Sequence, residues 1–331
     1  MRNLKAFLAA VLLVLLVAGS GCGASQPPPD ENDPFLVSLA EKVDVARIIE
    51  DIDYMASEEL RGRPAGSSQS DELEAFLAGR FSELGLQPVN QLGLTDYRQE
   101  FEVPADRCFL ERTPLPDEVI TGANILAMVE GESMDEMIIL TANYDGLGVD
   151  AATGSVYPGA DYNASGASAV LELAAIFSSL DRKPAKSIVF ALLGAEECGG
   201  FGSAALAEAL EKEGLQSSAR IINLEGLGAG EGGYMDLWDL NYRKNRPTVE
   251  AIDEAAAMLD VELELGGADP GTSAGTFFLF HIPAVTVDWS WFERSDHPNF
   301  HLPTDTVENL DPEGLSEVTR VVAVATWILA G

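Results

Sequence analysis

SIVFALLGAEECGGFGS, residues 187–203, decides the fold. Ile188 to Leu193 is an unbroken apolar, partly β-branched run of strand length, the pattern of a strand buried on both faces of a parallel sheet. The run stops at Gly194, and two adjacent carboxylates follow at Glu196 and Glu197. Glycines and Ser203 then lead into a helical stretch, Ala204 to Lys212. Open α/β sheets hold their chemistry just past the carboxyl ends of the strands, where loops form a crevice. Two acids at that point suit a metal ligand beside a general base. An exposed loop carrying two solvated acids reads the same way in sequence.

Working outward, the same grammar repeats. TGANILAMVEGESMDEMIILTANYDGLG (121–148) reads as two apolar strands joined by a polar turn, the second ending in Asn143-Tyr144-Asp145. GADYNASG (159–166) is a glycine-flanked loop that opens a helix over Ala167 to Leu180. Arg220 to Leu224 is a further strand and ends at Glu225; Val261 to Leu265 and Pro283 to Trp289 follow as later strands. Helical patterns cover Ala40 to Met55, Asp71 to Leu84 and Pro247 to Leu259. In the second of these Leu73, Phe76, Leu77, Phe81 and Leu84 share a face, Ser70 is the expected cap and Gly85 the stop. Asp311-Pro312-Glu313 starts a last helix that runs to about Leu329, with a capping residue, a first-turn proline and an acid. Strands alternating with helices predict a three-layer α/β sandwich around a mixed, mostly parallel central sheet.

The chain begins with an export signal, residues 1–21. Arg2 and Lys5 precede an apolar core, Ala6 to Val17, too short for the ~20 residues a bilayer span needs. Cys22 follows Ala18-Gly19-Ser20-Gly21, which resembles a bacterial lipoprotein signal, although Gly19 stands where such signals usually carry an aliphatic residue. The expectation is export to the cell envelope with a lipid on Cys22, or simple secretion. Residues 22–36, with QPPPDENDP (26–34), read as a polar tether, and 37–331 as one domain. Twenty Lys and Arg against 54 Asp and Glu give a formal charge of −34. That balance excludes nucleic acid, whose phosphates demand a basic surface, and electrostatic docking to anionic lipid. Any membrane attachment must come through the lipid. Cys108 and Cys198 could pair in an oxidising envelope, or remain two buried thiols.

Three separate strands end in polar residues: Asn143 and Asp145, Glu196 and Glu197, and Glu225. His301, in NFHLPTDTVENL (299–310), is a fourth candidate. With LRGRPAGS, TGANILAMVEG, GADYNASG, LLGAEECGGFGS, INLEGLG and FHLPTDT in this order, the chain resembles the cocatalytic di-zinc aminopeptidases. That family also contains glutamate carboxypeptidase and the transferrin-receptor-like proteins. The resemblance implies a zinc-aminopeptidase-like fold with two zinc ions that share a bridging Asp and a water. It makes Glu196 the base, Glu197 and His301 ligands of one zinc, Glu225 the acid of the other, and Asp145 the acid behind a metal-binding His.

Two expected ligand positions are substituted. The strand-end His is Asn143, and the bridging Asp is Tyr162, with Asp161 beside it facing another way. A Ser-Asp-His motif reads Ser273-Ala274-Gly275. A bridging carboxylate fixes two metals at roughly 3.5–4 Å, whereas a neutral phenol with pKa about 10 has no second oxygen to offer. Zinc prefers imidazole, thiolate or carboxylate to an amide oxygen. The expectation is at most one weakly held zinc, and a weakly active or non-hydrolytic protein that uses its cleft or surface to bind a peptide or protein ligand. The alternative is a metal-dependent exopeptidase with an atypical single-metal site. Of the remaining histidines, His281 reads as structural, and His297 is placed to join His301 in a rebuilt site except that Pro298 interrupts a shared helical face. Trp289 and Trp291 read as wall or core.

Overall fold

A computed structural model describes residues 33–108, 119–230, 233–290 and 297–331. The export signal, Cys22, most of the tether, and Trp291 lie outside the described residues. Among those described, no helix is long and apolar enough to cross a membrane.

The decisive stretch forms β4 (Lys186–Leu193), every residue of which after Lys186 is buried. Its side chains alternate between two cores: Ile188, Phe190 and Leu192 pack on one side of the sheet, Val189, Ala191 and Leu193 on the other. A strand sandwiched in this way needs apolar residues at every position, which is what the unbroken run supplies. β4 pairs in parallel with β3 (Ser133–Asn143) and antiparallel with β2 (Val119–Val129). The eight-stranded sheet runs β1-β2-β4-β3-β5-β8-β6-β7, with β1 Arg98–Pro104, β5 Ala219–Leu224, β6 Tyr234–Asp239, β7 Leu263–Leu265 and β8 Ala284–Ser290. β4, β3, β5 and β8 form a parallel centre, and antiparallel pairs flank it. β1 and β6 carry too many polar residues to read as buried strands, and only pairing in the sheet reveals them.

One helical layer contains α1 (Pro34–Ala40), α2 (Val45–Met55), α3 (Ser68–Glu83), α4 (Gly166–Ser178), α6 (Tyr242–Leu259) and α8 (Pro312–Ala330). The opposite layer holds α5 (Phe201–Lys212) and the short α7 (Ser273–Leu279). Helix–sheet–helix layering around a mixed sheet agrees with the sequence reading. Two details differ. α1 starts at Pro34 and buries Leu36, so the folded part begins ahead of Val37, within the expected tether. α3 is capped by Ser67, whose Oγ accepts the Ser70 amide at 3.1 Å; Ser70 is instead a buried helix residue donating to Glu74. Leu73, Leu77 and Phe81 of α3 are fully buried, each contributing roughly 1.5–3 kcal/mol.

Cys108 and Cys198 form a disulfide, which ties the segment after β1 to the turn that carries Glu196 and Glu197. Arg63, from LRGRPAGS, is fully buried. Its guanidinium donates to the carbonyls of Met55, Tyr144, Pro158 and Gly159, so one cation joins the end of α2 to both site loops. Gly62 lets this turn approach closely: its φ is +71°, and a Cβ would lie 2.5 Å from the Tyr157 carbonyl oxygen.

Candidate active site

The parallel strands end at one edge of the sheet, and their following residues meet there. Asn143 ends β3, Glu196 and Glu197 follow β4, and Glu225 follows β5. With Tyr162 and His301 they line a single cleft of about 410 Å³. His301 Nε2 lies 3.4 Å from Glu197 Oε2, although 104 residues separate them in sequence (301 − 197).

Asp145 is fully buried and turns its two oxygens to the backbone amides of Glu196 and Glu197, at 3.1 Å each. It therefore sets the glutamate turn. Burial, then the nearby Glu197 and Glu196, push its carboxyl well above the usual range, and the two amides act against that rise. Glu196 accepts the Ser203 amide and the Ser273 hydroxyl, both at 2.6 Å. Burial pushes its carboxyl up to about 7 despite these donors, a value that suits proton transfer at neutral pH.

Glu225 accepts three hydrogen bonds. Its Oε1 accepts Asn223 Nδ2 at 2.7 Å and the Ser273 amide at 3.1 Å, and its Oε2 accepts the Tyr162 phenol at 3.2 Å. Burial raises both the Glu225 carboxyl and the Tyr162 phenol, so Tyr162 stands as a neutral donor. The Tyr162 ring meets His297, Phe300 and His301 edge-on, with centroids at 5.1, 4.5 and 6.2 Å. The Asn143 amide oxygen accepts Asn163 Nδ2 at 2.9 Å, and Asn163 is bound in turn to the Leu224 carbonyl. Asp161 faces away from the cleft, its Oδ1 on the Gly228 amide and its Oδ2 on His297 Nδ1 at 2.7 Å. His297 thus joins Asp161, and no rebuilt site with His301 forms; the two rings are separated by Tyr162. Trp289, buried in the core, donates to the Gly230 carbonyl at 3.2 Å, and His281 is an exposed turn residue.

These residues do not fit a pair of zinc ions as they are arranged. The Tyr162 phenol donates a hydrogen bond to Glu225, and the Asn143 amide oxygen accepts one from Asn163. Among the described residues no three His, Cys, Asp or Glu side chains are grouped to hold a metal, against the three protein ligands usual for catalytic zinc. Within the cleft, Glu197 and His301, both of a metal-ligating residue type, lie within 3.4 Å of each other.

Sequence reasoning missed Asp305, Ser273 and Asn163 as site builders. Asp305 accepts the amides of Asp161 and Tyr162 at 2.7 and 3.0 Å, and so shapes the loop that points Tyr162 inward. Its place four residues after His301 in HLPTDT was the available signal. Ser273 was marked only by the substituted motif in which it stands, and Asn163 carried no signal, because a small polar residue at a loop end is ordinary.

A sequence profile for peptidase family M28 matches residues 124–326, from β2 to the end of α8. The chain is 26% identical over 221 residues to aminopeptidase YwaD of Bacillus subtilis, covering 62% of this chain and 44% of that protein. It is 29% identical over 217 residues to a probable leucine aminopeptidase of Arthroderma benhamiae, covering 62% and 57%. The chain spans about half the length of these curated relatives. In fold it is similar to an aminopeptidase from Aneurinibacillus sp. strain AM-1, with TM-score 0.68, 17% identity and coverage of 88% and 95%. A Bacteroides thetaiotaomicron glutaminyl cyclase is similar at TM-score 0.64, 17% identity and coverage of 86% and 98%. The profile covers more than half of the chain, which therefore belongs to peptidase family M28.

Proposed function

We propose that this chain is an exported, lipid-anchored member of the family whose cleft binds a peptide or protein ligand and hydrolyses it weakly or not at all. The observation that carries this reading is the Tyr162 phenol bonded to Glu225 in the place of a bridging carboxylate. A hydroxyl that donates to a carboxylate competes with a metal for the same lone pairs. The strand-end amide of Asn143, held by Asn163, supports the same conclusion. The 410 Å³ cavity still accommodates a few residues of a peptide, with Phe300 at its wall and Glu196, Glu197 and Glu225 along its floor. Attachment to the envelope is assigned to a lipid on Cys22; secretion without a lipid is the other outcome.

One observation favours a second reading, a metal-dependent exopeptidase with a single-metal site. Glu196 retains a carboxyl poised near neutrality, and Glu197 and His301 remain within 3.4 Å. Zinc content of the purified chain after exposure to zinc, measured together with hydrolysis of aminoacyl substrates, decides between the two. Substoichiometric zinc with little or no turnover fits the binding reading. Stoichiometric zinc and turnover that a chelator abolishes establishes the exopeptidase.

A further inference from the structure

His297 is the first described residue after β8 and is 9% exposed. Its two ring nitrogens face two carboxylates. Nδ1 is 2.7 Å from Asp161 Oδ2, and Nε2 is 3.7 Å from Asp288 Oδ2, too long for a hydrogen bond and short enough for strong attraction between charges. The ring lies over Gly226, where a Cβ would come within 2.3 Å of the imidazole Cε1, so the close approach requires glycine. Both aspartates are more than nine-tenths buried. Asp161 otherwise accepts only from the Gly228 amide, and Asp288 from the Trp238 indole at 3.0 Å and the Ser290 hydroxyl at 3.3 Å. Among the described residues neither aspartate has an ion-pair partner except His297.

A neutral imidazole carries one N–H. With the proton on Nδ1 it would satisfy Asp161 and turn a bare lone pair toward the Asp288 carboxylate. With the proton on Nε2 it would do the reverse at 2.7 Å, which is worse. While both acids are ionised, only the doubly protonated ring suits them; burial raises the Asp288 carboxyl, and the nearby imidazolium acts against that rise. The other titratable groups around it, Tyr162 from the same loop as Asp161, Glu225 after β5 and Asp305 behind Asp161, are phenol or carboxyl, so none opposes a positive charge. Burial disfavours the charge, but Asp161 and Asp288 outweigh it and carry the ring from 6.5 up to about 10.

We propose that His297 is a buried imidazolium behind the cleft, locked between Asp161 and Asp288, that balances acid from within the chain and latches Asp161 outward. The latch has a consequence for the cleft. Residues 161 and 162 are adjacent, so holding Asp161 on His297 and Gly228, with both amides on Asp305, directs Tyr162 inward onto Glu225. His297 is in this sense a positioning residue for the phenol plug. The inference is independent of whether the cleft hydrolyses peptides.

The test uses the full chain with ¹⁵N-labelled histidine, signals being assigned by elimination with His281→Gln and His301→Gln. Both His297 nitrogens should carry protons at pH 8 and lose the imidazolium signature only near pH 10. Thermal unfolding should show a melting temperature that falls between about pH 6.5 and 10 in the wild type, because a raised pKa contributes stability below the unfolded value that is lost through the folded one. That slope should flatten in His297→Gln, with a lower melting temperature at pH 7, and His297→Arg should recover part of the loss by restoring a cation. A bare ring nitrogen at pH 8 overturns the proposal, whether or not the variants fold. So does a His297→Gln protein whose melting profile matches the wild type across this range.

Discussion

Asn143→His combined with Tyr162→Asp should convert the plugged cleft into a zinc site. In the wild type the Tyr162 ring packs against His297, Phe300 and His301 and its hydroxyl is bonded to Glu225. Truncating this half-buried aromatic costs about 3 kcal/mol, the low end of the range for aromatics. Replacing Asn143 also removes the bond from Asn163, worth about 1 kcal/mol. The metal-free double variant should therefore lie about 4 kcal/mol below the wild type, a fall in Tm on the order of 10 °C. Zinc binds only the folded state, so free zinc at about 100 times its Kd returns about 2.7 kcal/mol, and at about 1,000 times about 4.1. Most of the lost Tm should come back on zinc addition, while the wild type shifts little. Neither single change should suffice. Tyr162→Asp completes a set with Glu197 and His301 but gives Glu225 only the shared carboxylate, and Asn143→His still lacks the bridge. The effects should be non-additive, as for ligands of one centre. Metal analysis after dialysis and zinc titrations of Tm read this out, with stoichiometry moving from below one towards two. Hydrolysis of aminoacyl substrates should lag, since Ala274 and Gly275 stand where the family motif has Asp and His. A wild type that already holds two zinc ions, or a double variant that binds none, would refute the reasoning.

Three further outcomes follow from the same geometry. Glu196 and Asp305 have carboxyls raised by burial to about 7 and about 6; raised acids contribute stability below their unfolded pKa and lose it as pH rises through the folded value. Unfolding in denaturant should show a more stable metal-free domain at pH 5 than at pH 8, with up to about 3 kcal/mol from Glu196 alone, and equal stability at both pH values contradicts this assignment. Arg63→Met leaves four carbonyls without their donor and should destabilise by at least about 3 kcal/mol; a loss under 1 kcal/mol in the same unfolding experiment refutes the clamp. Cys22→Ser should release the protein from membranes or block its processing, and fractionation identical to the wild type argues against the lipid anchor.

The sequence by itself determined the architecture and the place of the chemistry. β4 was legible because a doubly buried strand demands apolar residues at every position, and the acids at 196, 197 and 225 were legible because they directly follow such strands. The same local logic failed where pairing supplies the information. β1 and β6 are half-polar strands that exist through their neighbours, and α3 took Ser67 as its cap because the preceding turn points that hydroxyl at the helix. Tertiary structure alone decided the partners. Asp161 and His297 lie 136 residues apart, Cys108 and Cys198 90 apart, and Arg63 reaches carbonyls 81 to 96 residues away. The family resemblance marked position 162 as the one that turns into the cleft, but not which groups make the choice between Asp161 and Tyr162. That choice belongs to the groups that close around the loop: Asp305 holding its amides, His297 and Gly228 drawing the carboxylate outward, and Glu225 receiving the phenol. Each is a short-range force between residues brought together only by the folded sheet.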